Sequence, residues 1–182
     1  MRFVATDLPE VVRIVLTVHE DARGYFMETW QARRFHDAGI DLDFVQDNVS
    51  ESSKGTLRGL HFQIEQAQGK LVRVVSGEVF DVAVDMRRSS PNFGKWVGEI
   101  LSADNKHQLW VPPGFAHGFL VLSDTAMFEY KCTDYYAPEF ERSVRWDDPE
   151  IGINWPLEKG EQPVLSPKDR EASLLRDADT YQ

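Results

Sequence analysis

Short runs in which apolar and polar side chains alternate fill most of this sequence, and turn-forming residues cut each run off. A period of two sets the apolar side chains on one face of a strand. Val12, Ile14, Leu16 and Val18 make one such face, Asp21-Ala-Arg-Gly24 turns the chain, and residues 25–30 are extended again. Further strands are predicted over residues 44–50, 70–76, 78–86, 96–101, 108–111, 117–122 and 126–132. Gly77 reads as the turn of a hairpin joining 70–76 to 78–86. The one clear helix of the N-terminal half spans residues 31–38 and stops at Gly39. So many strands at close spacing, with so few helices, predict an all-β sandwich or barrel, with residues 1–182 as a single domain. From Trp146 onward Pro, Asp and Gly accumulate and a short helix is predicted over 168–176, so residues 146–182 are expected to pack back onto the barrel.

Composition narrows the partners. A net charge of −10 argues against nucleic acid and anionic membrane, whose phosphates repel such a field. A phosphorylated ligand would need positive charge concentrated locally. The single cysteine, Cys132, excludes an internal disulfide, suits a reducing compartment and reads as a small core side chain. Asp7 and Glu10 interrupt any resemblance to a secretion signal, and no apolar run has membrane-spanning length. A cytoplasmic protein is expected.

Function is concentrated where polar groups break apolar faces. Gly55-Thr-Leu-Arg-Gly-Leu-His-Phe-Gln63 holds Arg58 and His61 three residues apart. On a regular strand they would face opposite ways, but Gly59 can adopt a bulge that turns both into one cavity. The plain alternative is a surface arginine and a core histidine satisfied by a carbonyl. Lys70 shares a face with Val72 and Val74, Asp81 with Val79 and Ala83, His117 with Phe119 and Val121, and Tyr130 with Phe128 and Cys132. Lysine and aspartate are rarely buried without a partner, so four such faces predict a barrel whose interior is a site.

Two chemistries fit that set. Trp110-Val-Pro-Pro-Gly-Phe-Ala-His117 looks like the second cupin motif, which delivers a metal-binding histidine. The matching His-x-His of the first motif here reads His61-Phe62-Gln63, leaving two imidazoles where a catalytic metal wants about three ligands. A carboxylate or Gln63 could fill the gap, so metal is disfavoured rather than excluded. The other chemistry is proton transfer at carbon, with a histidine as base, a lysine for the enolate oxygen and a tyrosine to return the proton.

Segments 55–63, 69–73, 77–85, 111–119 and 130–139, followed by Arg145-Trp-Asp-Asp-Pro, Ile153-Asn-Trp-Pro and Leu165-Ser-Pro-Lys-Asp169, resemble the dTDP-4-dehydrorhamnose 3,5-epimerase family nearly end to end. The resemblance implies a cupin-type jelly-roll β-barrel with short peripheral helices, a homodimer with an exchanged N-terminal segment, and epimerisation of dTDP-4-dehydro-6-deoxy-D-glucose at carbons 3 and 5 without metal or cofactor. It assigns His61 as the base, Asp169 as the carboxylate holding its ring, Tyr130 as the proton donor and Lys70 as the group facing the 4-keto oxygen. Arg58, His117 and Lys168 fall at positions contacting sugar or nucleotide, and Gln46, Asn48 and Glu141 at nucleotide-binding positions. Asp21-Ala-Arg23-Gly-Tyr-Phe26-Met-Glu28 resembles the segment lent by the partner, with Arg23 at the diphosphate and Glu28 near the base. Phe26 and Phe119 border the substrate by the same resemblance, although core packing is the role favoured for Phe119.

The presence of Tyr130 leans toward inversion of both carbons. The alternatives are a single-carbon epimerase or ketoisomerase of a related dTDP-4-keto sugar, a metal-dependent cupin oxygenase, and a non-catalytic sugar-binding jelly roll.

Overall fold

The computed structural model describes residues 1–158 and 160–182. Its strands are β1 (Arg2–Ala5), β2 (Val12–Val15), β3 (Val18–Asp21), β4 (Gly24–Met27), β5 (Gln46–Ser53), β6 (Leu57–Gln63) and β7 (Lys70–Ser76). They continue as β8 (Glu78–Asp85), β9 (Trp96–Ser102), β10 (Gln108–Val111), β11 (Phe115–Val121), β12 (Thr125–Cys132) and β13 (Glu141–Ser143). Two short helices, α1 (Ala32–Asp37) and α2 (Pro167–Arg170), lie outside the strands. Among the described residues no helix is long and apolar enough to cross a membrane.

One sheet runs β1-β2-β10-β7-β12-β5 and the other β13-β6-β11-β8-β9, while among the described residues β3 and β4 pair only with each other. Neighbours throughout are antiparallel, and strands adjacent in space are mostly distant in sequence. This is the cupin-type jelly roll. Val72, Val74, Val79, Ala83, Leu101, Phe119 and Phe128 fill the space between the sheets. Two further clusters cover the outer faces. Ile14, Leu71 and Trp110 pack beneath Phe35 of α1, and Leu60, Phe62, Val82 and Val84 pack beneath Ile151, Leu175 and Ala178 of the C-terminal segment. Strands covered on both sides show less alternation than one-sided strands do, which is why β11 is buried at every position.

Residues 70–86 are not a hairpin. β7 pairs with β10 and β12 in one sheet, and β8 with β11 and β9 in the other. Gly77, at φ +82°, carries the chain between sheets so close to the next strand that a Cβ there would sit 2.1 Å from the Thr125 carbonyl oxygen. A glycine between two apolar runs serves a crossover as well as a hairpin, so its presence did not discriminate. The predicted first strand is divided into β2 and β3, and the predicted helix over 168–176 is the single turn of α2 followed by a 3-10 turn at Leu175–Asp177. β1 and β13 are too short to show a period.

Candidate active site

β6 is built to deliver two polar side chains to one place. His61 stands opposite His117 on β11, while Arg58 stands opposite Phe119, so three steps along β6 match two along β11. The extra residue is Gly59, at φ +120°, where a Cβ would lie 2.6 Å from the Gly118 Cα. The bulge leaves Leu60 and Phe62 in the outer cluster and sends Arg58 and His61 inward. Both line a cavity of about 410 Å³ between the sheets, together with Lys70, His117, Phe119, Phe128 and Tyr130. That size suits a small-molecule ligand.

The fourth wall comes from the C-terminal segment. Val164 is tied to the start of β6 through Leu57 N–H to Val164 O at 3.0 Å and Val164 N–H to Gly55 O at 2.8 Å. Two residues on, Ser166 caps α2 and lines the cavity, and Pro167 occupies the first helical position where its missing N–H costs nothing. The single turn of α2 then aims Asp169 at His61, with Oδ1 to Nε2 at 2.5 Å. The Asp169 side chain is 3% exposed. Burial alone would push its carboxyl up, but His61, Ser166 and Lys168 outweigh that and hold it below the ordinary carboxylate range.

Lys70 is partly buried, opposite Cys132 on β12 and Val111 on β10. Among the described residues its ammonium has no hydrogen-bond partner. Burial pushes it below the usual lysine value, against the opposing pull of Cys132, Glu141 and Asp81. Tyr130 packs against Phe128, ring centroids 6.0 Å apart. Burial and Cys132 raise its phenol, while Arg58 works in the other direction. His117 is paired with the fully buried Asp81, Nε2 lying 2.9 Å from Oδ2, and burial raises that carboxyl despite His117. The cavity therefore holds an imidazole with a carboxylate partner, a lysine amine, a phenol and a guanidinium. Such a set can take a proton from carbon, hold charge on oxygen and give a proton back.

The predicted residues Lys168, Glu141, Gln46 and Asn48 lie outside the cavity lining. Lys168 and Glu141 form an ion pair at 2.5 Å, and the Tyr136 hydroxyl donates to Glu141 at 2.9 Å. Gln46 donates to Asn48 at 3.1 Å and accepts from the Tyr136 N–H, and Asn48 stands opposite Tyr130. Gln63 does not face the two histidines. Its amide donates to the carbonyls of Gln66 and Tyr135 and accepts from the Ala137 N–H, so its polar atoms hold the 135–137 turn. Arg23, Phe26 and Glu28 do not line the cavity of their own chain. Arg23 engages Asp21, Phe26 is 72% exposed, and Glu28 pairs with Arg34 at 3.4 Å.

Sequence reasoning passed over Ser50, Ser52 and Ser166. Ser52 accepts from Arg58 Nε at 3.0 Å, and Ser50 lines the cavity. A signal existed: Gln46, Asn48, Ser50 and Ser52 alternate along β5, giving its inward face only polar side chains. For Ser166 the signal was the Ser-Pro-x-Asp start of a helix.

Residues 5–177 match the protein family described as dTDP-4-dehydrorhamnose 3,5-epimerase. Over 182 residues, covering 100% of this chain and 99% of the relative, the sequence is 55% identical to dTDP-4-dehydrorhamnose 3,5-epimerase of Pseudomonas aeruginosa. The crystal structure of dTDP-6-deoxy-D-glucose-3,5-epimerase from Legionella pneumophila, in complex with dTDP-4-keto-L-rhamnose, superimposes with a TM-score of 0.94 at 56% identity, covering 98% of this chain and 94% of that one. A 3'-monoepimerase from Streptomyces bikiniensis, in complex with dTDP-quinovose, shares the fold at a TM-score of 0.88 and 34% identity, covering 94% and 87%.

Proposed function

The chain belongs to the dTDP-4-dehydrorhamnose 3,5-epimerase family of isomerases, and from that premise we propose that it inverts carbons 3 and 5 of dTDP-4-dehydro-6-deoxy-D-glucose to give dTDP-4-dehydro-L-rhamnose. Both hydrogens flank a ketone, so removing either as a proton leaves an enolate whose charge rests on the 4-oxygen. In this reading the His61 ring takes the proton, and the Asp169 carboxylate fixes its tautomer and stabilises the imidazolium that forms. The Lys70 ammonium faces the enolate oxygen. Tyr130 delivers a proton from the opposite face of the sugar ring, which inverts the carbon, and solvent then restores both groups.

One observation supports the reading: a histidine with a buried carboxylate partner shares a single cavity with a lysine and a tyrosine. A positioned base supplies about 10²–10⁴-fold and an oxyanion donor about 3–4 kcal/mol, so the two are needed together. The scheme uses no cofactor and no metal.

Arg58, His117 and Lys168 would contact the sugar or nucleotide, and Gln46, Asn48 and Glu141 the nucleotide. The β3–β4 hairpin would complete the site of a second copy in a homodimer, bringing Arg23 to the diphosphate, Glu28 to the base region and Phe26 to the border of the substrate. Support comes from its position outside the two sheets and from the exposure of Arg23 and Phe26. Cytoplasmic action suits a soluble nucleotide sugar and a lone buried cysteine. The competing reading is inversion of one carbon, as in the Streptomyces bikiniensis relative's name. Turnover in heavy water separates them: deuterium at carbons 3 and 5 supports double inversion, and deuterium at one carbon supports the alternative.

A further inference from the structure

The proton-abstracting pair has a third member. The Ser166 hydroxyl donates to Asp169 Oδ2 at 2.8 Å, and the Asp169 backbone N–H donates back to Ser166 Oγ at 3.2 Å. Since Oδ1 is engaged by His61 Nε2, each carboxylate oxygen has its own partner. A serine hydroxyl carries one proton, and here the Asp169 N–H fixes the direction in which it points. The carboxylate cannot turn about its last bond without breaking both contacts.

From this closed ring we infer that Ser166 is a positioning residue for the base, acting through Asp169 on the orientation and basicity of His61. The inference rests on the proposed role of His61 as base. Its physical content is twofold. The hydroxyl stops the carboxylate from swinging, so the imidazole is held in one plane. By donating to Oδ2 it also draws part of the carboxylate charge toward itself, which limits how strongly that charge stabilises the imidazolium. Too strong a pull would leave His61 protonated and unable to accept a proton at neutral pH. The other charged or titratable groups facing this ring are Lys168 from α2, Glu141 from β13, His117 from β11, Lys70 from β7, Tyr130 from β12 and Arg58 from β6. None of these donates to Oδ2.

The test uses Ser166→Ala and Ser166→Thr in the full chain. In the alanine variant kcat falls about 5- to 150-fold, the range expected when a buried charged acceptor loses its donor, with KM little changed. Its His61 ring, followed by NMR in the protein without substrate, titrates at higher pH than in the unsubstituted chain. The acid limb of kcat/KM moves in the same direction, and Ser166→Thr, which keeps the hydroxyl, restores both. An unchanged His61 titration in Ser166→Ala overturns the inference even if kcat and melting temperature fall, because a plain helix cap would lower both. The ring titration needs no turnover. If the unsubstituted chain fails to epimerise a dTDP-4-keto sugar, the functional reading falls while the titration still decides the role of Ser166.

Discussion

Asp169 Oδ1 lies 2.5 Å from His61 Nε2, although 108 residues of chain separate the two. The contact depends on the C-terminal segment being tied to β6 through Val164 and on α2 being only one turn long. With the carboxyl held below its ordinary range, His61 has a carboxylate beside it at neutral pH. Asp169→Asn keeps the shape and removes the charge. It is expected to lower kcat by about 10²–10⁴-fold, with KM changing far less, because the carboxylate matters most when the imidazolium forms. Steady-state kinetics on the purified variant checks this. A kcat within a factor of two of the unsubstituted value would contradict it.

Lys70 separates activity from stability. Its ammonium is pushed down by burial and lacks a hydrogen-bond partner among the described residues, so folding gains little from the charge. Lys70→Met is expected to lower kcat about 10²–10³-fold, the effect of losing an oxyanion donor, without lowering the melting temperature. Paired kinetic and thermal measurements read both. A variant that loses activity only in proportion to lost stability would reassign Lys70 to the fold.

Acid should unfold the chain through its buried carboxylates. In Asp169, Glu141 and Asp85 burial raises the carboxyl, but their ionic and hydrogen-bonded partners prevail and the net shift is downward. Each therefore binds a proton less readily folded than unfolded. Their contribution is complete above the unfolded carboxylate range near 4 and disappears as pH falls through the lower folded values. Asp81, shifted upward by burial, adds nothing to this acid lability. Thermal melts across pH 2.5–7 are expected to show a midpoint that drops below about pH 4. A midpoint insensitive to acid would count against these pairs.

Gly59 couples the fold to the site. An alanine there would be strained at φ +120° and would meet Gly118 Cα at 2.6 Å, so β6 would have to move away from β11 or lose its bulge. Gly59→Ala is expected to destabilise the fold by at least about 2 kcal/mol. Any folded fraction should have little turnover, because Arg58 and His61 no longer converge. Denaturant titration measures the first and kinetics the second. Normal stability with normal kcat would show that the bulge does not set the site.

The barrel was legible because most strands bury one face against the inner core, and a polar side chain on such a face stands out, as Lys70, Asp81, His117 and Tyr130 do. Gly59 was legible for the same reason, since without a bulge Arg58 and His61 could not share a side. Sheet membership was not legible at Gly77, because alternation within a strand says nothing about which strand lies beside it. The tie between Asp169 and His61 came from family resemblance alone, as no local pattern links residues so far apart. Ser166 was missed because the predicted helix began at Lys168, which left the serine outside its capping position. Short edge strands such as β13 fell below the length at which a period can be read.

The central claim is that the His61 ring removes the hydrogens flanking the ketone, and deuterium incorporation tests it most directly. dTDP-4-dehydro-6-deoxy-D-glucose is incubated in heavy water with the unsubstituted chain or with His61→Ala, and the sugar is followed by NMR while binding of dTDP is measured in parallel. The expected result is deuterium at carbons 3 and 5 with the unsubstituted chain and none above the uncatalysed background with His61→Ala, which still folds and still binds dTDP. Sustained exchange in a folded His61→Ala chain would contradict the account, because the proton would then be leaving to some other group.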